Sequence, residues 1–385
     1  MRRSKKMIIE MRSGLAYDGG LTTDKRQEES RRMSRNLAKI MDRVSQATRR
    51  MPMAEWNWSE GVALYGLVSL WKTTQDDALL HYLKSWIDDQ LTQGRVFETV
   101  NATAPCFSLI ELYVASGEPR YADIIKSRTE FLMQRAERLA NGAFEHTLVE
   151  TNFGGQMWVD TLFMAGLFLV KAGLLFEDQA AVEEGINQYF LHVRHLQQED
   201  GLYYHGWDEH KNGPIGCLWA RGNAWAAIVS TELLVLLPET EPARQAIRDT
   251  LARQLSGLSR YQDISGLWTT VIDDSNTYLE TSAAAGIAYA VKRALRFGNA
   301  DEAHAAMADR AARAALAHVD WEGVFRGVSA GTGVQKHAGE YHVIAQHRTE
   351  GYGQGLLLML LSAMWVESGS SSATDLCYNK AAKPS

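Results

Sequence analysis

Residues 59–72 read Ser59-Glu60-Gly61-Val62-Ala63-Leu64-Tyr65-Gly66-Leu67-Val68-Ser69-Leu70-Trp71-Lys72, and after a short polar break residues 77–91 read Asp77-Ala78-Leu79-Leu80-His81-Tyr82-Leu83-Lys84-Ser85-Trp86-Ile87-Asp88-Asp89-Gln90-Leu91. The first segment carries apolar side chains on nearly every side, so it predicts a helix enclosed by its neighbours, with Ser59 as its N-cap. The second concentrates Leu80, Leu83, Trp86, Ile87 and Leu91 at three- and four-residue spacing, which predicts an amphipathic helix with one solvated face. An enclosed helix followed by a half-exposed one, joined by a tight turn, is a helical hairpin.

That unit recurs along the chain. Apolar residues 103–116 precede amphipathic residues 120–138, with Gly117-Glu118-Pro119 turning between them. Residues 158–172 pair with 178–196, 222–237 with 242–258, and 278–294 with 301–318. The last apolar segment, 351–366, lacks a following partner. The amphipathic residues 29–49, with Met33, Leu37, Ile40, Met41 and Val44 in register, lack a preceding one. Joining these two ends predicts a closed ring of hairpins. The expected fold is all-α, an (α/α)6 toroid, in a single domain over residues 29–366. A leader over residues 1–28 and a flexible tail over residues 367–385 flank it. A TPR-like open solenoid is the alternative, but the uneven repeat spacing and the aromatic-rich loops count against it.

Bulk properties narrow the function. A formal net charge of −6 over 385 residues argues against nucleic acid as the main partner. No apolar run reaches the length that spans a bilayer, and Met7-Ile8-Ile9 is too short for a signal-peptide core. Cys106, Cys217 and Cys377 are far apart and imply neither a disulfide framework nor a zinc site. A cytoplasmic protein is expected, without membrane partner. Eleven tryptophans and fourteen tyrosines, many beside Gly, Asn, Asp or His, suit a sugar-binding cleft, where rings meet C–H faces and polar neighbours meet hydroxyls.

In a toroid the loops before the enclosed helices gather at one mouth. Those loops contribute Trp58, Asn101, His146, Trp158, Asp160, His205, Trp219, Arg221 and Trp225. Asp160 is a lone acid among Trp158, Leu162 and Phe163. Its surroundings either complement a helix dipole or desolvate it into a proton donor near neutral pH. Arg221 between two tryptophans fits a site for a carboxylate or phosphate ligand, with the pairing of an internal carboxylate as the lesser alternative. Asp273-Asp274 reads mainly as loop and capping chemistry.

Four segments carry a specific resemblance: Gln156-Met157-Trp158-Val159-Asp160-Thr161-Leu162-Phe163-Met164, Gly201-Leu202-Tyr203-Tyr204-His205-Gly206-Trp207-Asp208, Trp219-Ala220-Arg221-Gly222-Asn223-Ala224-Trp225 and Tyr278-Leu279-Glu280-Thr281-Ser282-Ala283. With weaker matches around residues 56–62 and 352–355, the chain resembles the unsaturated uronyl hydrolases of glycoside hydrolase families 88 and 105, particularly the unsaturated rhamnogalacturonyl hydrolases. The resemblance implies removal of a terminal 4,5-unsaturated uronic acid from lyase-generated oligosaccharides, with unsaturated rhamnogalacturonan disaccharide as the favoured substrate. It also implies that the C4=C5 vinyl ether is hydrated, with Asp160 protonating C4 and then serving as base. Trp58, Asn101, His146, Trp158, His205, Trp219, Arg221 and Trp225 are expected to bind substrate, the tryptophans at 219 and 225 as stacking walls. No metal or organic cofactor is implied, and a monomer or homodimer is expected. One departure stands out: Asn101 occupies the position where relatives often carry a second aspartate. The alternatives are another toroid enzyme, a sugar epimerase or a hydrolase of saturated oligosaccharides, and a non-catalytic sugar-binding scaffold.

Overall fold

The computed structural model describes residues 23–346 and 349–369. The expected leader lies outside the described residues as far as position 22, and the expected tail lies outside them from position 370. The first helix, α1, spans Thr23–Arg49, so it starts six residues before the expected position 29. It is followed by α2 Trp58–Thr74, α3 Asp77–Thr92, α4 Cys106–Ser116, α5 Pro119–Gln134, α6 Phe168–Phe176, α7 Gln179–Leu196, α8 Ala220–Leu236, α9 Ala243–Tyr261, α10 Thr281–Arg296, α11 Ala305–Ala317 and α12 Gly351–Glu367.

The even-numbered helices form the inner ring. Each packs on its own outer helix and on the next inner one, α6 through the residues 162–167 that lead into it, and α12 returns to pack on α2 and α1. The expected toroid and the pairing of the first helix with the last hairpin are thus both present. Local chemistry fixes the helix ends. Asn57 Oδ1 accepts the Trp58 amide at 2.8 Å, Asp76 caps α3, and Gly117 ends α4 at φ 67° with Pro119 opening α5.

The seam between α2 and α12 closes at glycine. A Cβ built on Gly66 would lie 2.5 Å from the Gly355 carbonyl oxygen, and one on Gly355 would overlap the Val62 carbonyl. Two backbones can approach that closely only where side chains are missing. Outside the ring, a second device repeats. After α5, α7, α9 and α11 the chain makes the same tight turn, with amide-to-carbonyl bonds Leu139–Ala143 2.9 Å, Gln198–Leu202 2.8 Å, Asp263–Leu267 2.9 Å and Asp320–Val324 3.0 Å. Its glycine has φ between 88° and 93° at Gly142, Gly201, Gly266 and Gly323. The last three press against the backbone of the next outer helix at Arg253, Arg310 and Arg43. Gly323 on Arg43 brings the outer layer full circle.

The barrel axis is plugged. Tyr65, Phe107, Phe163 and Trp225 form a chain of rings with centroids 5.2, 5.1 and 4.8 Å apart. Beyond the plug, towards the C-terminal ends of the inner helices, a cavity of about 110 Å³ is lined by charged groups that satisfy one another. Lys171 donates to Tyr65 Oη and Glu111, each at 3.1 Å, while Glu232 takes Tyr289 Oη and Arg293 Nε, each at 2.6 Å. Among the described residues no helix is long and apolar enough to cross a membrane. Replacing Gly355 by Ala is expected to lower stability by about 1–3 kcal/mol through backbone overpacking. Gly154→Ala, where a Cβ meets open space, should be near neutral; thermal unfolding of the two variants checks the contrast.

Candidate active site

At the N-terminal ends of the inner helices, short strands rather than plain loops place the chemistry. β1 Gln156–Trp158 pairs antiparallel with β2 Gly206–Asp208, which pairs with β3 Gly213–Ile215. Trp158 therefore stands opposite Gly206, and the Val159 amide donates to the His205 carbonyl at 2.9 Å. The same stitching continues from the His205 amide to the Cys217 carbonyl and from the Ala220 amide to the Thr270 carbonyl. A further two-stranded ribbon joins β4 Trp268–Thr269 to β5 Leu279–Glu280. Trp158 thus lies in a strand. Helical backbone starts at Asp160 and passes through a π-helical stretch, Leu162–Leu167, before α6. Such wide turns relieve the i→i−4 ladder and are frequent beside functional groups.

Asp160 is 8 % exposed and lies between two histidines. Its Oδ2 is 3.4 Å from His205 Nε2. His146 stacks on Trp158 at 4.4 Å, while its Nδ1 pairs with Thr161 Oγ1 at 2.8 Å. His205 stacks on Trp219 at 4.2 Å, and its Nδ1 pairs with the Tyr341 hydroxyl at 2.7 Å. Asn101 sits on a 3₁₀ turn whose backbone is tied to Thr147, beside His146. Among the buried polar atoms without a hydrogen-bond partner are Asn101 Oδ1, Asp160 Oδ2 and His205 Nε2, with Trp219 Nε1 and Arg221 Nε beside them. Orphaned buried acceptors and donors cost stability and are retained where a ligand or water completes them.

Burial pushes His146 down to about 4 and also lowers His205, so both rings are neutral at pH 7. Desolvation pushes the Asp160 carboxyl up. The hydrogen-bonding reach of His205, then its electrostatic influence with that of His146 and Arg221, outweighs that push and holds it below the usual carboxylate value. The aromatic walls alone predicted a raised value. The structure corrects this, because cationic and N–H groups surround the acid along with the rings.

Arg221 is fully enclosed. Its Nη1 donates to Ser329 Oγ at 2.6 Å and lies 3.4 Å from Glu280, while Nη2 donates to Ala330 O and Thr332 Oγ1, each at 3.0 Å. Trp219 and Tyr352 cover its two faces at 4.5 and 4.7 Å. The internal-carboxylate reading of Arg221 holds here, and Glu280 is that carboxylate. Trp225 is likewise not a wall of the mouth, since it belongs to the aromatic plug. Trp219 presents a face to His205 instead of to open space. Trp58, half-buried and stacked on Tyr352 at 4.5 Å, remains at the mouth. Asp273-Asp274 is loop chemistry as expected, with Asp274 accepting the Asn276 amide and lying 3.1 Å from His342 Nε2.

The sequence reading brought together Asp160, His146, His205, Trp158 and Asn101, and missed Thr161, Glu280, Ser329, Thr332 and Tyr341 as their supports. Glu280 lay inside a quoted motif. Tyr341 had no signal, because its segment shows no periodicity. Residues 330–344 lie over the site: a Cβ on Gly331 would meet Trp58 at 3.5 Å, and one on Gly333 would meet Trp158 at 3.3 Å. Among the described residues no cluster of side chains fits a metal ion.

The chain and its fold have known counterparts. The chain is 35 % identical over 330 residues to the unsaturated rhamnogalacturonyl hydrolase YesR of Bacillus subtilis (strain 168), covering 85 % of this chain and 94 % of that protein. A possible member of the GH105 family from Klebsiella pneumoniae superposes with a TM-score of 0.83 at 30 % identity, over 86 % of this chain and 93 % of the other. An unsaturated glucuronyl hydrolase specific for heparin shares the fold at a TM-score of 0.71 and 14 % identity, over 89 % of this chain and 98 % of its own. Residues 30–366 match Glycosyl Hydrolase Family 88. With a family match over residues 30–366 and a relative 35 % identical over 85 % of this chain, the chain belongs to Glycosyl Hydrolase Family 88.

Proposed function

We propose that the protein removes a terminal 4,5-unsaturated uronic acid from short oligosaccharides left by polysaccharide lyases, with unsaturated rhamnogalacturonan disaccharide as the favoured substrate. The observation that carries this reading is a buried carboxylate, Asp160, facing His205 with both polar atoms unsatisfied. Hydrolysis at a saturated glycosidic bond calls for two flanking carboxylates. Two further buried carboxylates of this region are engaged: Glu280 by Arg221, Ser282 and Ser329, and Asp208 by the amides of His210 and Lys211. One acid suffices when the reacting bond is a vinyl ether.

Asp160 delivers its proton to C4, and the electron pair of the double bond forms the new C–H bond. Positive charge develops at C5 and the ring oxygen. The carboxylate left on Asp160 then takes a proton from water as the hydroxyl adds to C5, which returns the acid to its starting state. The resulting hemiketal opens and releases the linked sugar. Neutral His205 and His146 suit this sequence, because a fixed imidazolium would oppose the cationic transition state. Asn101 offers an amide to orient substrate or water. Trp58 and Trp158 offer ring surfaces, and Arg221 acts through its charge from behind Ser329 and Thr332. No metal or organic cofactor takes part. Residues 29–366 form the catalytic unit, working in the cytoplasm as a monomer or homodimer. The net charge of −6 supports a reading without nucleic-acid or membrane partners.

Because Asp160 is held below its ordinary value in the free protein, it is ionised at pH 7 and must gain a proton before it can act. The substrate's own carboxylate supplies the push, since a second negative charge nearby favours the protonated acid. Binding of a saturated uronate analogue at pH 7 is therefore expected to take up about one proton. Calorimetry in buffers of different ionisation enthalpy measures this, and Asp160→Asn should abolish it. The same variant, folded as judged by circular dichroism, is expected to lose at least about a thousandfold in the rate at which the vinyl-ether ultraviolet absorbance disappears. Retained turnover would sink the assignment of Asp160.

A further inference from the structure

Tyr341 belongs to a 3₁₀ segment, Ala338–Val343, on the stretch that lies over the site. Its side chain is fully buried, and burial keeps the phenol protonated far above its ordinary value. A phenol has one proton to give. The Gln335 amide donates to its oxygen at 3.3 Å, and His205 Nδ1 lies 2.7 Å away. The weak acceptor Cys217 is the remaining neighbour on that side. The hydroxyl proton therefore goes to His205 Nδ1. A neutral imidazole that accepts at Nδ1 carries its own proton at Nε2, and Nε2 is the atom 3.4 Å from Asp160 Oδ2.

We propose that Tyr341 is a positioning residue that locks His205 in the tautomer whose Nε2–H faces Asp160. This rests on the reading of Asp160 as the acid that becomes a carboxylate once it has given its proton to C4. The N–H stabilises that carboxylate at the moment it forms. Without Tyr341, the Nδ1–H tautomer becomes available and turns a lone pair towards Asp160. The groups around the imidazole are few. Asp160 faces it from the start of the helix leading to α6, and Tyr341 from the covering segment. Arg221 faces it from α8, Cys217 from the connecting loop, and His146 across Asp160. Asp273 acts on Cys217.

Tyr341→Phe keeps the ring and removes the hydroxyl. Two measurements on the full chain test the proposal. In the pH profile of kcat, the basic limb reports loss of the Asp160 proton in the substrate complex. Removing an N–H from the carboxylate makes it a weaker acid, so that limb should move up by about one pH unit. The plateau kcat should fall about tenfold, while KM changes less than about threefold. Nitrogen-15 shifts of His205 in the free protein should pass from a pure Nε2–H tautomer to a mixture. Cys217→Ser offers the tyrosine proton a stronger acceptor and should move both readouts the same way by a smaller amount. It also keeps the test alive should the Phe variant fold poorly. An unmoved limb with unchanged His205 nitrogen shifts would overturn the proposal. If the wild-type protein turns over no unsaturated uronide, the proposed reaction fails, and the nitrogen shifts still decide whether Tyr341 sets the tautomer.

Discussion

Everything in this molecule depends on two helices touching without side chains between them. At the Gly66–Gly355 crossing the backbones of α2 and α12 come together, and a methyl group there would hold the ring ajar. A closed ring fixes the angle at which each inner helix points its N-terminal end. Those ends carry Trp58, Asn101, Asp160 and Arg221 towards one mouth. The outer turns reinforce the geometry by seating one hairpin on the next through Gly201, Gly266 and Gly323. Neither contact is strong alone. Their effect lies in repetition around a circle, where an error at one joint would have to be absorbed by all the others.

The plug formed by Tyr65, Phe107, Phe163 and Trp225 divides that circle into two chemically different ends. Towards the C-terminal ends of the inner helices, where the helix dipoles are negative, Lys72, Lys171 and Arg293 meet Glu111 and Glu232 in pairs. Each of these charges there has an ion partner within 3.1 Å. At the opposite end Asn101, Asp160 and His205 keep unsatisfied atoms. The contrast separates scaffold charges from chemical ones more sharply than burial does, since both sets are buried.

Much of this was legible in the residues. Apolar segments such as 59–72 alternate with amphipathic ones such as 77–91, and that alternation is a direct consequence of one layer of helices enclosing another. The unpaired segments at the two ends of the chain pointed to closure. The strands β1 to β5 were not legible, because two or three residues cannot display a period of two. The Asp160–His205 proximity follows from the β1–β2 register, which has no local signature. Arg221 shows the other limit. Flanking tryptophans look the same in sequence whether they wall a cleft or sandwich a buried cation, and only the positions of Glu280, Ser329 and Thr332 decide between the two. The raised acidity of Asp160 was missed for a similar reason, since the histidines beside it come from distant segments.

Closure through the first and last elements also orders events in time. α1 leaves the ribosome before the other helices described, yet its seats, α12 and the turn at Gly323, follow it only after most of the ring has been made. Its apolar stripe, Leu37, Ile40, Met41 and Val44, must therefore wait without these seats while the intervening hairpins are made. The hairpins between can stack as they emerge, but the contact between the two ends of the chain spans more than three hundred residues, as the bond between Gln354 and Thr48 shows, and such long-range contacts form slowly. The molecule is thus built as an open arc and becomes an enzyme only in its final step. A chain that stops short of α12 leaves α1 unseated and the mouth unformed, whatever the condition of the residues that line it.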